Sequence, residues 1–148
     1  MFAYLKKLDV RERTSWIELP WITPGARLKL RPAGEANPGY FNAMLARAAR
    51  RLAALQARGG ADALRVEDVA QNRAEDVALF PDHVVVGWEG ILDDQGRTVD
   101  FSRENCAALL AALPEWIVDK IRNHAGSPER FLAPGEEAPP DAAPLDGR

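Results

Sequence analysis

The chain is poor in the residues that build covalent cross-links and metal sites. Its 148 residues include one cysteine, Cys106, and two histidines, His83 and His124. A single cysteine excludes a disulfide within the chain and is typical of a reducing compartment. The two histidines are far apart in sequence and match no zinc pattern. We therefore expect neither a metal site nor a cofactor.

The chain also lacks long hydrophobic runs and a strong charge of either sign. No apolar stretch approaches the roughly 20 residues that a membrane helix needs, and the first residues lack the apolar centre of a signal peptide. The net charge of −3 gives no general affinity for nucleic acid. We expect a protein of the cytoplasm with no membrane or nucleic-acid partner.

Catalytic motifs are missing as well. Gly87-Trp88-Glu89-Gly90 contains no serine for a nucleophile elbow, and Gly59-Gly60 belongs to no phosphate-binding loop. Asp93-Asp94-Gln95-Gly96 reads as a turn, because the remaining ligands of a calcium loop are out of register. Cys106 lies in an apolar helical stretch and is expected to be an inert core thiol. We predict that the protein is not an enzyme and has no catalytic residues.

What the chain does have suits one globular domain. Hydrophobic residues make up 47% of the sequence and charged residues 28%, which are ordinary values for a chain that buries a core. We place this domain at residues 1–132. Residues 133–148 are rich in proline, alanine and acid, and bury too little to offset their ordering entropy. We therefore expect a disordered acidic segment there.

The charges are unevenly distributed along the chain. Residues 1–60 carry 11 lysines and arginines against four acids, whereas residues 61–95 carry nine acids against two arginines. A basic first part and an acidic middle attract each other, either within one fold or between subunits.

The first part of the chain predicts a β-hairpin. Ser15–Leu19 contains strand-forming residues, Thr23-Pro24-Gly25 has turn chemistry, and Arg27–Arg31 alternates between cations and leucines. Leu28 and Leu30 should face one side of the strand and the three cations the other. A solvated strand face is the ordinary interpretation of that basic stripe. A docking face for an acidic partner is the alternative.

A long helix should follow from Asn37-Pro38 to Gly59-Gly60, with asparagine as N-cap and proline at the first helical position. One apolar stripe runs along it, and the arginines at 47, 51 and 58 lie on another face. Packing of the stripe on the core is favoured over a heptad seam offered to another helix, because the stripe spans barely two heptads. The stripe consists of Phe41, Leu45, Ala48, Leu52 and Leu55.

The remaining sequence predicts mostly helices. One should cover about Arg65–Leu79, with Pro81 interrupting it or beginning the next turn; Ser102 and Pro114 should begin two more. His83–Trp88 fits a strand or a buried helix equally. The fold class is α+β, mainly α, with an N-terminal β-hairpin followed by a compact helical domain. The expected core includes Phe41, Leu45, Leu52, Val85, Trp88, Leu110, Trp116 and Ile121.

Four tryptophans complete the pattern. Trp88 and Trp116 are expected in the core, whereas Trp16 and Trp21 lie in a thinner segment where one small core cannot cover both. Tryptophan and arginine dominate protein interfaces. The predicted partner-binding residues are Trp16, Trp21, Arg27, Lys29, Arg31, Arg47, Arg51 and Arg58.

The order of several segments resembles the small tail assembly chaperones of long-tailed, lambda-like bacteriophages and prophages. No single segment is diagnostic, and none is catalytic. The resembling segments are Gly25–Leu45, Asn72-Arg73 with Glu75-Asp76, Val84–Ile91, Asp94–Ser102 and Leu109–Arg122.

This resemblance implies a role in virion assembly. Such chaperones coat the tape measure protein and keep it soluble, and a longer frameshift product recruits the tail tube protein. A homo-oligomer that works in the host cytoplasm and is absent from the mature virion is implied as well. A structural tail or head–tail connector subunit that stays in the virion is the alternative.

Overall fold

The structure is a computed structural model that describes residues 1–133. Three strands form one small sheet, and five α-helices and three short 3₁₀ helices surround it or extend from it. The strands are β1 (Ser15–Glu18), β2 (Arg27–Leu30) and β3 (Val85–Glu89). The α-helices are α1 (Pro38–Ala57), α2 (Val66–Val77), α3 (Phe80–His83), α4 (Arg103–Ala112) and α5 (Glu115–Ala125). The 3₁₀ helices are Ala3–Leu8, Gly60–Ala63 and Pro128–Phe131.

The predicted hairpin is present. β1 pairs antiparallel with β2, with Trp16 opposite Lys29, and the Ala26 amide closes the turn by donating to the Thr23 carbonyl at 3.0 Å. Leu28 and Leu30 are completely buried, and the cations of β2 lie on the other face. The alternation of apolar and charged residues therefore predicted correctly which side of this strand faces the core, as expected for a sheet with one covered face.

The segment His83–Trp88, which fits a strand or a buried helix in the sequence, contains both: its first residue ends a helix, and the chain then enters a strand. Pro81 lies in the short helix α3, which ends at His83, and the chain then enters β3. This strand pairs antiparallel with β2, and Trp88 lies opposite Leu28. The hairpin therefore grows into a three-stranded antiparallel sheet in the order β1-β2-β3. The protein is mixed α/β and mainly helical, as predicted.

The core lies between one face of the sheet and helices α3, α4 and α5. Ile121 of α5 is completely buried, as is Cys106 of α4, and burial raises the pKa of the Cys106 thiol to about 12. Trp88 is partly buried, and its indole N–H donates to the Val99 carbonyl at 2.8 Å. The predicted core positions Val85, Leu110 and Ile121 are confirmed as buried.

Three of the predicted core residues are exposed instead. Leu45 is 48% exposed, Leu52 55% and Trp116 49%. Leu45 and Leu52 lie on α1, in which Tyr40 is the one residue that is buried. The prediction was wrong here because an apolar stripe shows that a helix can bury one face but does not show that the fold supplies a covering surface.

The start of α1 is firmly anchored. Asn37 is buried and caps the helix, and its side-chain amide donates to the His83 carbonyl at 2.7 Å. Tyr40 meets Phe80 of α3 edge to face at 5.9 Å between ring centroids. Beyond this anchored end, α1 continues for most of its 20 residues, which span about 30 Å in a helix.

Two further expectations have clear outcomes. The Asp93–Gly96 turn is present: the Asp93 side chain accepts hydrogen bonds from the amides of Gln95 and Arg97, and Gly96 has a positive φ of 77°. The predicted disordered acidic segment lies, apart from Ala133, outside the described residues. Within the described part of the chain, none of the helices has both the length and the apolar character of a membrane span.

Candidate partner-binding surfaces

The helical arm is the first candidate surface, defined as α1, the 3₁₀ helix Gly60–Ala63 and α2. Its two α-helices are joined by ion pairs rather than by a shared apolar core. Arg51 contacts Glu75 at 3.4 Å and Asp76 at 3.2 Å, and Arg58 contacts Asp68 at 2.9 Å. The attraction between the basic first part and the acidic middle is therefore satisfied, at these places, within one chain.

The arm exposes a set of large apolar side chains. They come from both helices and from the connection between them, and each is about half exposed or more. These residues are Leu45 (48%), Leu52 (55%), Leu64 (53%), Val66 (85%) and Val69 (50%). Scattered single apolar residues are normal on a surface, whereas several on consecutive elements make the arm a candidate interaction site.

A groove of about 520 Å³ runs between α1 and α2, and arginines form much of its wall. Arg51 and Arg58 are held by the carboxylates of α2, and the Arg58 guanidinium keeps the pKa of Asp68 below its usual value. Arg47 and Arg50 also line the groove, and no carboxylate among residues 1–133 pairs with either one. The groove thus offers two free cations beside Leu52 and Leu55.

The other side of α2 faces a second, more apolar depression of about 430 Å³ between α2, α4 and α5. Alanines and the side chains of Val77 and Leu110 line it. One ion pair crosses its rim, between Arg73 of α2 and Glu115 of α5, at 2.9 Å. Exposed pairs of this kind contribute little to stability.

The tryptophan groove is the second candidate surface, a depression of about 490 Å³ between β1 and α5. Trp16 and Trp21 form its aromatic wall, and Lys120 and Arg130 lie in its lining. Trp21 is 55% exposed and meets Trp116 edge to face, with ring centroids 5.4 Å apart. Three of the four tryptophans in the chain therefore lie at or beside this groove.

Cations cover the tryptophan rings. The Arg27 guanidinium lies 4.0 Å from the centre of the Trp16 ring, and the Lys29 ammonium 5.9 Å from it. The Lys120 ammonium lies 5.5 Å from the centre of the Trp21 ring. Arg27 is also bound to Glu89 at 2.9 Å, whereas no carboxylate within residues 1–133 pairs with Lys29 or Lys120. The groove is therefore aromatic and electropositive.

His124 is one of the residues that line the tryptophan groove. The Ser15 hydroxyl donates to the Arg130 carbonyl at 2.8 Å, so the His124 Nε2–H is the donor of the 2.9 Å bond to the Ser15 oxygen. Burial lowers the pKa of His124, and the nearby Arg130 lowers it further. Since the serine proton is directed at a carbonyl, this pair is arranged as a structural link and not as an activated nucleophile.

Lowering the pH should weaken the fold through His124. Because its pKa is lower in the folded than in the unfolded chain, the unfolded chain takes up the proton first. The stabilisation is complete above about pH 6.5 and is lost as the pH falls toward the folded pKa. Urea unfolding between roughly pH 7.5 and pH 5, above the carboxylate range, measures the loss. His124→Gln keeps an N–H donor but cannot titrate, so an equal pH slope in this variant would contradict the assignment.

The predicted partner-binding residues fall into two groups in the structure. Trp16 and Trp21 line the tryptophan groove, and Arg27 and Lys29 lie over the Trp16 ring. Arg47, Arg51 and Arg58 line the groove of the arm. Arg31 belongs to neither group, because its guanidinium donates to the Arg11 carbonyl at 3.2 Å.

Two details change the sequence interpretation. Arg51 is not a free surface charge, because its side chain is only 22% exposed and is held between two carboxylates. The sequence interpretation also missed Lys120, which lines the tryptophan groove, and Trp116, whose ring meets that of Trp21. Their spacing of four residues places both on one face of α5, next to the face of Ile117, Ile121 and Ala125 that is buried. This spacing was the signal in the sequence that could have indicated both residues.

Comparison with known proteins places the chain among proteins encoded by prophages. A family model described as YdaY prophage protein matches residues 36–138, which is more than two thirds of the chain. The chain belongs to this family. The match includes the whole helical arm and Trp116, but leaves the hairpin with Trp16 and Trp21 outside. No curated protein and no solved structure matches the chain significantly.

Within residues 1–133, no group of three or more histidine, cysteine or acidic side chains is arranged to hold a metal ion. Apolar, aromatic and cationic side chains are prominent on the two surfaces described above, beside carboxylates such as Glu75 on the arm and Glu18 at the tryptophan groove.

Proposed function

We propose that this prophage protein is a tail assembly chaperone that binds the tape measure protein, keeps it soluble and helps to recruit tail tube subunits. The observation that carries the proposal is the helical arm, with five exposed apolar side chains and two arginines that pair with no carboxylate among residues 1–133. The order of the resembling segments in the sequence and the prophage family support it.

The chemistry of the arm suits a helical partner. A tape measure protein is expected to be a long helix with apolar stripes, which aggregates when those stripes meet water. Leu45, Leu52 and Val69 would cover such a stripe in the manner of a helix in a groove. Arg47 and Arg50 would pair with acidic residues that flank it.

The tryptophan groove would serve as a second contact on the same partner or on the tail tube protein. Tryptophan, together with arginine, contributes most of the energy at many interfaces. The tube protein would be recruited through a longer frameshift product. Each chaperone copy would bind weakly, so that tube subunits can displace it. Many copies would together cover one partner. We further propose that the protein self-associates, acts in the host cytoplasm, and leaves before the virion matures.

Co-expression with the tape measure protein of the same prophage tests this function. We expect the tape measure protein to move from the pellet to the supernatant when this chain is present, because its apolar stripes are then covered. The measurement is the soluble fraction on gels, with an unrelated small helical protein as the matched control.

Mass spectrometry of purified particles distinguishes the chaperone function from the alternative of a structural subunit. A chaperone should be absent or strongly substoichiometric in finished tails. Stoichiometric amounts in the particles, or an insoluble tape measure protein in spite of co-expression, would contradict the proposal. The first of these results would favour a tail or head–tail connector subunit.

A further inference from the structure

The tryptophan groove follows an open edge of the sheet. β1 is the first strand in the order β1-β2-β3, so within the described residues it pairs on one side. Trp16, Ile17 and Glu18 all line the groove, although the side chains of consecutive strand residues point to opposite faces. Three consecutive residues line one groove when it runs along the backbone edge of their strand. Lys120 and His124, one turn apart on α5, line the groove as well.

The register of the hairpin shows which backbone groups point out of this edge. The Leu19 amide donates to the Ala26 carbonyl at 2.9 Å, so these two residues form a hydrogen-bonded pair. Such pairs alternate along an antiparallel ladder, so Ile17 is again bonded to β2, whereas Trp16 and Glu18 direct their N–H and C=O groups away from it. No partner for these outward groups is found among residues 1–133. An edge of this kind is a template for another extended chain.

The groove also has a surplus of positive charge. Lys120 and Arg130 lie in its lining, and Lys29 lies over the Trp16 ring, yet none of these three cations forms an ion pair within residues 1–133. Glu18 is the one carboxylate among the lining residues. A chain that pairs with this edge is therefore favoured when it carries negative charge.

We propose that an extended acidic segment of another protein binds in the tryptophan groove by pairing with β1 as a fourth strand. Its backbone bonds to the outward groups of Trp16 and Glu18. Acidic side chains at every second position lie on the face that carries Trp16 and Lys29, and apolar side chains between them lie on the side of Ile17. Backbone pairing supplies affinity, and the alternating side chains supply specificity.

This binding mode specifies how the second contact of the proposed function is made, on the tape measure protein or on the tail tube protein, and in that respect it rests on the proposed function. A synthetic peptide tests it in the absence of both proteins. Failure of the peptide to bind is therefore distinguishable from failure of the co-expression test.

The probe is a fluorescein-labelled heptapeptide, TEVEVET, which carries glutamate at every second position and is blocked at its other end. Fluorescence anisotropy with the full chain measures its affinity, and TKVKVKT is the matched control with the opposite charge. We expect TEVEVET to bind at least about tenfold more tightly than the control and to lose several-fold of its affinity at about 0.5 M salt. Absence of binding, or equal affinity of the two peptides, would overturn the proposal.

N-methylation of the peptide tests the backbone pairing. Successive residues of a strand direct their amides to opposite edges, so methylation of two glutamate amides and of two valine amides affects different edges. In antiparallel pairing the glutamate amides face β1, and their methylation should lower the affinity about tenfold while methylated valines are tolerated. Parallel pairing reverses this result. Equal affinity of the two methylated peptides would overturn strand addition.

A substitution in β1 tests the same contact from the protein side. Glu18→Pro removes an outward N–H and no bond to β2, and proline is tolerated at such edge positions. Glu18→Gln is the matched control, since it removes the charge and keeps the N–H. We expect Glu18→Pro to bind TEVEVET about tenfold more weakly, although it loses a repelling carboxylate, and Glu18→Gln to bind it as tightly as the unchanged chain or more tightly.

Near-UV circular dichroism checks that both variants keep the tryptophan environment. Equal affinities of Glu18→Pro and Glu18→Gln would overturn the proposal. Sedimentation of the chain alone tests the other occupant of this edge. A dimer that Glu18→Pro dissociates would assign the edge of β1 to a second copy of this chain and would likewise overturn the binding of a partner segment there.

Discussion

Replacing Ile121 by alanine is expected to lower the free energy of unfolding by about 2–5 kcal/mol, because the side chain is completely buried and its removal leaves a cavity. Ile121 lies on the buried face of α5, which also carries Ile117, Val118 and Ala125. Ile117, Ile121 and Ala125 belong to the same core cluster as Leu28 and Leu30 of β2. Urea unfolding at neutral pH measures the change.

Leu52→Ala is the matched control for this prediction. Both substitutions remove three carbon atoms from a helical residue that the sequence placed in the core, but Leu52 is 55% exposed. Its replacement should change the free energy of unfolding by less than about 0.5 kcal/mol, as is usual for surface positions. A loss of similar size in both variants would show that the arm packs against the core and would contradict its exposure.

The contrast between these two positions shows how far the sequence could predict the fold. Caps, turns and alternation are local, and they correctly indicated Asn37 as a helix start, the hairpin, and the Ser102 cap that accepts from the Asn105 amide at 3.0 Å. The apolar stripes of α1 and α5 look alike in the sequence. Only the fold decides which stripe is covered, because coverage depends on elements that are distant in the chain.

The third strand shows the same limit. His83–Trp88 contains a β-branched run that fits a strand or a buried helix. Its structure is decided by an open edge on β2 that sequence reasoning did not foresee. Leu30 lies opposite Val85 there, with a bulge between Lys29 and Leu30. A pairing partner more than fifty residues away leaves no local signal.

The candidate site was predicted in part. Aromatic and basic residues in a thin N-terminal segment correctly indicated the exposed Trp21, and its partner Trp116 was mistaken for core. The side of a helix that a large aromatic residue occupies is uncertain by one position, which turns it by about 100°. Trp116 and Ile117 illustrate this, since one is half exposed and its neighbour is buried.

The exposed leucines of the arm should matter most when a partner binds. The double substitution Leu45→Gln with Leu52→Gln keeps size and helix propensity while removing apolar surface from the arm. About half of each leucine remains to be buried by a partner, which is worth roughly 1.5–3 kcal/mol in total. We therefore expect the affinity for a soluble tape measure fragment to fall about ten- to a hundredfold.

Calorimetric titration of that fragment measures the loss, and circular dichroism checks that the double variant remains folded. Leu92→Gln serves as the control, because Leu92 is 44% exposed but lies near the Asp93–Gly96 turn and not on the arm. It should bind the fragment like the unchanged chain. Equal affinity in the arm variant and this control would exclude the arm as the surface that binds the tape measure fragment. The tryptophan groove would then remain as the candidate. A loss of affinity confined to the arm variant would assign binding of the tape measure fragment to Leu45 and Leu52. These are the leucines that the amphipathic pattern of the sequence alone places in the core.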